Sequence, residues 1–307
     1  MAPPVKPKVQ ATEAAAPFNG YDSLLEVPSG KDLKQNAWLT IQLNVRLKFI
    51  DGRNPGGNTT KVDGKWYAKD WDGYLYPLID WGDFYRKKFL DKFQSHAEKV
   101  WNWQFLLVTP RDYDGLDIDR GDTIIRPNVL CLFRLNLVES GANHTIEVAN
   151  PDFNTTEVKN IDATKPVKRL KKWDAGTFRS DSTYYDDSDL MRPYMYDKKE
   201  NIWHDTIGHE IGHAIGQSHI MGLKGDASCE NGAPTVGEDR CYGSGEDAKN
   251  IMGRGDRIWL ENAVSWLNRV ALHTSTAKGK WSASGVMTTP PRLMPKKAIK
   301  PGVPLLF

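Results

Sequence analysis

Three histidines, separated by four and then six residues, form the part of this chain best suited to chemistry. His209 and His213 are four residues apart, so on an α-helix their side chains share one face and can bind the same ion. Gly216 lets the chain leave that helix in a conformation that bulkier residues disfavour, and the turn returns His219 as a third nitrogen ligand. Three protein ligands leave a fourth position for water, which is the pattern of a catalytic zinc site.

A glutamate directly follows the first of these ligands, and a methionine lies downstream of the third. Residues 209–219 have the form H-E-x-x-H-x-x-G-x-x-H, with Glu210 as the glutamate. This pattern resembles the metzincin clan of zinc metallopeptidases. The second mark of that clan is a methionine turn, which residues 250–253 match through Met252. In metzincins this methionine forms an apolar floor beneath the zinc-binding histidines.

The resemblance implies a zinc-dependent endopeptidase with one catalytic Zn²⁺ ion. His209, His213 and His219 would hold the metal, and Gly216 and Met252 would support the site. A water activated by zinc would attack the peptide bond, with Glu210 acting first as general base and then as general acid. A toxin-like effector delivered into another cell is a specialised version of this function. The alternatives are a zinc hydrolase acting on cell-wall peptide and a non-catalytic binding module stabilised by zinc.

Three positions depart from particular metzincin families. Arg254 stands two residues after Met252, where astacins and serralysins carry a tyrosine that can approach the zinc. Ile220 follows the third histidine and matches no family pattern. No cysteine precedes Cys131, so the cysteine-dependent latency of matrix metalloproteinases has no counterpart. The subfamily is therefore not assigned.

The remaining cysteines and an acidic segment leave two questions open. Cys229 and Cys241 could form a disulfide that closes the loop between the histidines and the methionine turn, or they could be free thiols. Residues 112–122 contain five aspartates whose spacing does not fit a calcium-binding EF-hand loop. A solvated acidic loop is favoured there over a calcium site.

Composition restricts the partners and the setting of the protein. The chain has 307 residues and a net charge of +2, so we predict no nucleic-acid partner, and a protein or peptide substrate instead. No apolar run is long enough to span a membrane. The first residues lack the apolar stretch of a signal peptide, which favours a cytoplasmic location or export by a signal-independent route. The localisation is otherwise unknown.

The pattern of elements predicts an α+β fold, and the resemblance makes it a metzincin-like catalytic domain of two subdomains. That domain is expected over residues 31–275, with an upper subdomain at about 31–216 and a lower one at about 217–275. Residues 1–30 are predicted to be a flexible arm. Residues 276–307, basic and rich in proline, are predicted to be a tail, a solvated extension lying on the domain. The alternative is that the tails dock to an export or delivery partner.

Hydrophobic periodicity places the main elements. Alternation over 39–49 predicts a strand with one buried face, and an apolar stripe from Trp81 to Val100 predicts a long helix that backs a twisted mixed sheet. The predicted lower subdomain is mostly loops plus a final helix, for which Asp256 is the candidate N-cap. The remaining predictions are strands at 105–108, 126–138, 144–149 and within 176–186, a loop or lid at 51–76, and an active-site helix from about 202 to 215.

Overall fold

A computed structural model describes residues 13–15, 18–28, 35–57, 59–69, 74–152, 159–160, 184–185, 194–199, 201–229 and 238–295. The helices are α1 (Asp83–Trp101), α2 (Thr206–Ala214), α3 (Ile220–Leu223) and α4 (Val264–Thr274). The strands are β1 (Glu13–Ala15), β2 (Phe18–Glu26), β3 (Ala37–Ile50), β4 (Thr59–Val62), β5 (Lys65–Lys69), β6 (Tyr74–Pro77), β7 (Leu106–Val108), β8 (Ile118–Asp119), β9 (Thr123–Arg126), β10 (Val129–Leu137), β11 (His144–Ala149), β12 (Lys159–Asn160), β13 (Tyr184–Tyr185), β14 (Tyr194–Asp197), β15 (Ile202–His204), β16 (Ser282–Ser284) and β17 (Arg292–Pro295).

A mixed sheet built around β3 forms the centre of the molecule. The strand order is β1-β2-β3-β10-β7-β16, and β11 pairs with β3 and β13. Strands β10 and β11 run parallel to β3, whereas β2 runs antiparallel to it. The alternate apolar side chains Leu39, Ile41, Leu43 and Val45 of β3 are completely buried, as their period of two predicts, whereas Leu47 and Phe49 are partly buried. The α+β class and the mixed sheet are therefore confirmed.

Helix α1 packs against the sheet through β10 and against helix α2. Phe89, Phe93, Ala97 and Trp101 recur every four residues and are buried, which gives the helix one apolar stripe against β10 and α2. The stripe begins later than predicted, because Phe84 in the first turn is 72% exposed. None of the helices in the described residues combines the length and the apolar character needed to cross a bilayer.

The segment predicted as a loop or lid at 51–76 contains three strands. In the described part of the chain β4, β5, β6 and β12 form a small antiparallel sheet. Asp63 and Gly64 connect β4 to β5 with φ angles of 50° and 81°, as a two-residue hairpin turn requires. The loop prediction was wrong because the strands on either side of this turn are too short to show a clear alternation.

Both predicted tails contribute strands to the folded unit, so the boundaries at 30 and 276 are corrected. Strand β2 pairs with β3, and Tyr21 within it is only 4% exposed. Strand β16 pairs with β7, β17 pairs with β9, and Trp281 is also 4% exposed. Residues 1–12, 29–34 and 296–307 lie outside the described residues. Of the predicted strand within 176–186, β13 is the described part.

The region after α2 is built mainly from short helical turns. Its described residues contain α3, α4 and five 3₁₀ segments, which are Ala227–Cys229, Glu238–Tyr242, Asp247–Lys249, Leu260–Ala263 and Lys278–Lys280. Asp256 does not cap the last helix, as had been predicted. That helical stretch begins at the 3₁₀ turn Leu260–Ala263, with Trp259 as its N-cap, and continues into α4.

Candidate metal centre

Helix α2, which carries His209 and His213, begins at an aspartate cap. Strand β15 occupies residues 202–204, so the helix starts at Thr206 and not at about 202 as predicted. The Asp205 carboxylate accepts a hydrogen bond of 2.8 Å from the backbone N–H of Gly208. Its second oxygen lies 2.8 Å from Nε2 of His96 on α1. The cap therefore fixes the start of α2 and also ties it to α1.

A glycine ends α2 and turns the chain towards His219. Gly216 has a φ of +84°, in the left-handed region that favours glycine. The Gly216 N–H donates to the carbonyl of His213 at 2.9 Å, and the Gln217 N–H donates to the carbonyl of Gly212 at 3.0 Å. This pair of bonds is the Schellman arrangement, which satisfies carbonyls at the helix end. Gly216 thus occupies the position that the sequence predicted for it.

The three histidines converge through their Nε2 atoms. Nε2 of His213 lies 3.1 Å from Nε2 of His209 and 3.2 Å from Nε2 of His219. All three side chains are buried, at 2–5% exposure. Within the described part of the chain, these residues form the one cluster of three or more His, Cys, Asp or Glu side chains placed to hold a metal ion. The structure therefore brings together the three predicted ligands.

Backbone carbonyls orient two of the three imidazole rings. Nδ1 of His209 lies 2.7 Å from the carbonyl oxygen of Ile251, and Nδ1 of His213 lies 2.8 Å from that of Gln217. A carbonyl only accepts, so each Nδ1 carries the proton and each Nε2 presents its lone pair to the cluster. This tautomer is the one that binds a metal through Nε2, and a carbonyl partner on the other nitrogen is typical of metal-binding histidines. The donor set therefore fits a metal ion.

Met252 lies directly against α2, and Glu210 is buried beside the ligands. Met252 has no exposed surface, and Glu210 is 5% exposed. A Cβ atom at Gly212 would lie 2.3 Å from Sδ of Met252 and 3.0 Å from Cζ2 of Trp101. A glycine at position 212 therefore allows the methionine and α1 to approach the helix from the side of its backbone. Met252 therefore contacts the histidine helix at Gly212.

A buried network of side-chain amides connects the histidine segment to the methionine turn. It consists of Gln217, Asn250 and Asn262, which are 3%, 0% and 0% exposed. Asn262 donates to Oε1 of Gln217 at 3.1 Å and exchanges hydrogen bonds of 2.9 and 3.2 Å with the Asn250 amide. Sequence reasoning missed this network, because the three residues lie far apart in the chain and buried amides follow no spacing rule.

Tyr242 is a second feature of the centre that sequence reasoning missed. Its ring centroid lies 4.0 Å from that of His219 and 5.9 Å from that of His209. The guanidinium of Arg254 lies 5.6 Å from the same ring. Arg254, at the position where astacins and serralysins carry a tyrosine, thus contacts a tyrosine that comes from a different part of the chain. The position of Tyr242 directly after Cys241 was the available signal.

Cys229 and Cys241 form a disulfide, with their sulfur atoms 2.06 Å apart. Both residues are buried, at 4% and 5% exposure, and the bond anchors the 3₁₀ turn that carries Tyr242. Cys131 is a free and buried cysteine, and burial raises the pKa of its thiol well above the ordinary value. The free-thiol alternative for the first two cysteines is not the arrangement in this structure.

The acidic segment around residues 112–122 is held by cations of the protein itself. Both carboxylate oxygens of Asp117 lie 2.7 Å from the Arg126 guanidinium. Asp112 pairs with Lys280 at 2.6 Å, and this contact lowers the pKa of the Asp112 carboxyl. These aspartates serve ion pairs that connect the loop to β9 and to the C-terminal part of the chain. The structure thus gives them a role that does not involve calcium.

Comparisons with known proteins give no family assignment. No protein-family profile matches the chain, and neither a curated protein nor a solved structure matches it. The functional argument therefore depends on the site itself.

Proposed function

We propose that this protein is a zinc-dependent endopeptidase of the metzincin type. The observation that carries the proposal is the convergence of three buried histidine Nε2 atoms with a buried glutamate next to the first of them. Imidazole nitrogens are preferred zinc ligands, and three of them leave one coordination position for a reacting group. The methionine beneath the helix and the glycine turn after it add two further features of the clan.

In the proposed hydrolysis of a peptide bond, the histidines bind the metal and Glu210 transfers protons. A zinc ion, when bound, supplies an activated water and polarises the scissile carbonyl. The hydrogen bonds to Ile251 and Gln217 keep His209 and His213 in the neutral tautomer that binds a metal. Glu210 removes a proton from the attacking water and then delivers a proton to the leaving amine. Its burial excludes solvent, which strengthens these electrostatic interactions.

The Glu210→Gln variant separates this function from a binding module that uses zinc only for stability. The replacement keeps the shape of the side chain and removes the base, so peptide cleavage should fall by at least about 100-fold while zinc content stays at one ion per chain. Cleavage would be followed on a broad peptide library by mass spectrometry. The exposed Glu139, at the end of β10, provides the matched control Glu139→Gln, which should cleave at the wild-type rate.

Two results would contradict the proposal. The first is a Glu210→Gln variant that cleaves at the wild-type rate, which would show that another group acts as the base. The second is a zinc-loaded wild-type chain that cleaves no peptide of the library. Cleavage of cell-wall peptides alone would favour the narrower amide hydrolase.

A further inference from the structure

Asn262 occupies the 3₁₀ turn that leads into α4 and is completely buried. We propose that Asn262, together with Gln217 and Asn250, is a positioning residue of the metal centre. These three residues are called the amide network below. They set the orientation of His209 and His213 and thereby the affinity of the centre for its ion. The inference rests on the proposed zinc site and adds residues that lie outside its ligand set.

The first arm of the amide network reaches His209 through a single peptide group. Oδ1 of Asn250 accepts a hydrogen bond of 2.7 Å from the N–H of Met252. The carbonyl of the same peptide group belongs to Ile251 and accepts the 2.7 Å hydrogen bond from Nδ1 of His209. Bonds on both sides of one peptide group fix its plane and polarise each other. Asn250 therefore determines where the acceptor for His209 lies.

The second arm reaches His213 through Gln217. Nε2 of Gln217 donates to the backbone carbonyl of Asn262 at 2.9 Å, and its Oε1 accepts from Nδ2 of Asn262 at 3.1 Å. The backbone carbonyl of Gln217 accepts from Nδ1 of His213 at 2.8 Å. The two side-chain bonds therefore hold the residue whose main chain orients the second ligand.

The side chain of Asn262 hydrogen-bonds to both Asn250 and Gln217 and uses all of its donors and acceptor lone pairs. A side-chain amide offers two donors and one acceptor oxygen with two lone pairs. Oδ1 of Asn262 accepts from the N–H of Trp259 at 2.8 Å and from Nδ2 of Asn250 at 2.9 Å. Its Nδ2 donates to Gln217 and Asn250 at 3.1 and 3.2 Å. An aspartate at this position would lose both donors inside a site that solvent does not reach.

The expected effect of breaking the network is a loss of metal affinity beyond any loss of fold stability. Removing a partner that orients a metal-binding histidine typically lowers metal affinity by about 10–100-fold. Gln217→Met keeps the length of the side chain and removes both of its hydrogen bonds, so it should fall in this range. Asn262→Asp affects both arms and should lower affinity at least as much.

The experiment uses the full chain stripped of metal. Zn²⁺ is titrated against a competing chelator for the wild type, Gln217→Met, Asn262→Asp and Gln217→Glu, which keeps the shape of the side chain and removes only its donor, and unfolding of the metal-free proteins is measured in parallel. The visible absorption of bound Co²⁺ gives a second readout, because it reports the geometry of the ligands. The matched control is Asn128→Asp, since Asn128 is 1% exposed and its side chain bonds to Thr109 and Pro290 instead.

The inference predicts weaker Zn²⁺ binding and an altered Co²⁺ spectrum in the network variants. Asn128→Asp should lower the unfolding temperature and leave both metal readouts unchanged. Equal Zn²⁺ affinity in the wild type and in all folded network variants would overturn the inference, and so would an equal loss in Asn128→Asp. If the wild-type chain itself does not bind Zn²⁺, the proposed function fails. Loss of peptide cleavage with unchanged affinity would count against the network and not against the zinc site.

Discussion

Asp205 makes two separable contributions to the start of the histidine helix α2, and its replacement tests both. One carboxylate oxygen caps α2 through the Gly208 N–H, and the other contacts His96, each at 2.8 Å. The Asp205 side chain is 6% exposed and that of His96 is 24% exposed. Asp205→Ala removes both contacts. Asp205→Asn keeps a cap acceptor and removes the negative charge opposite His96.

The two contacts set the size of the expected loss in the free energy of unfolding. An N-cap contributes about 1 kcal/mol relative to alanine. A hydrogen bond to a charged group contributes about 1.5–3 kcal/mol. Asp205→Ala should therefore destabilise the metal-free protein by about 3 kcal/mol, the sum of both effects. Asp205→Asn should cost about 2 kcal/mol, because asparagine caps helices as well as aspartate does.

Urea unfolding of the metal-free chain at neutral pH measures these differences. Asp83 provides the control, since it is an exposed acid in the first turn of α1 and the cap position there is Gly82. Asp83→Ala should cost no more than about 1 kcal/mol, the size of a helix-dipole effect. Equal losses in Asp205→Ala and Asp205→Asn would refute the assignment of a separate cap. A loss below about 0.5 kcal/mol for Asp205→Ala would refute the whole argument, because that is the size of an ordinary surface substitution.

Three further predictions concern the disulfide, a buried histidine and the C-terminal strands. Reduction or Cys229→Ser should lower the free energy of unfolding by about 3 kcal/mol, because the bond to Cys241 closes a short loop; alkylation of both thiols in oxidised protein would contradict the bond itself. Burial lowers the pKa of His144 from 6.5 to about 4, so the unfolded chain binds the extra proton between these pH values. The free energy of unfolding is therefore unaffected by this titration above pH 6.5 and falls by about 3 kcal/mol towards pH 4. The variant His144→Gln should show a flatter pH dependence of urea unfolding over this range. Deletion of residues 276–307 should lower the unfolding temperature, since it removes β16, β17 and the buried Trp281, and an unchanged temperature would show that these strands contribute nothing.

The long elements could be predicted from the sequence because each carries a repeated pattern. Strand β3 alternates over its whole length, and the buried residues of α1 recur every four positions. The end of α2 was predicted from Gly216, since a left-handed position after a helix strongly favours glycine. The metzincin resemblance and its two subdomains stay predictions, because no comparison tests them.

The errors concern short elements whose structure depends on a partner strand. Strands β4, β5 and β6 lie in a segment interpreted as a loop, although Asp63-Gly64 is a hairpin signal. Strands β2 and β16 become ordered by pairing with β3 and β7, and such pairing leaves no local pattern in the sequence. Propensity within a few residues is too weak to predict a structure that tertiary contacts determine.

In the candidate site, too, residues close together in the sequence were predicted and residues brought together by folding were missed. The three histidines and Glu210 fall within one short segment, so local spacing was enough to predict that they lie close together. Gln217 lies within the histidine segment, whereas Tyr242, Asn250 and Asn262 come from later parts of the chain. Their contacts depend on how these parts fold against α2, and apart from the position of Tyr242 directly after Cys241 no spacing in the sequence indicates them.

The pairing of β2 and β16 with the central sheet has a consequence for the timing of folding. Ser23 beside β3 contacts His273 of α4 at 2.9 Å across 250 residues of chain. Contacts this distant in sequence form slowly, because a long loop must close before they are made. During synthesis the histidine helix leaves the ribosome well before α4 and β16. The three histidines are therefore synthesised before Tyr242 and Ile251, which contact them, and the centre can be completed only after both of these residues have been made.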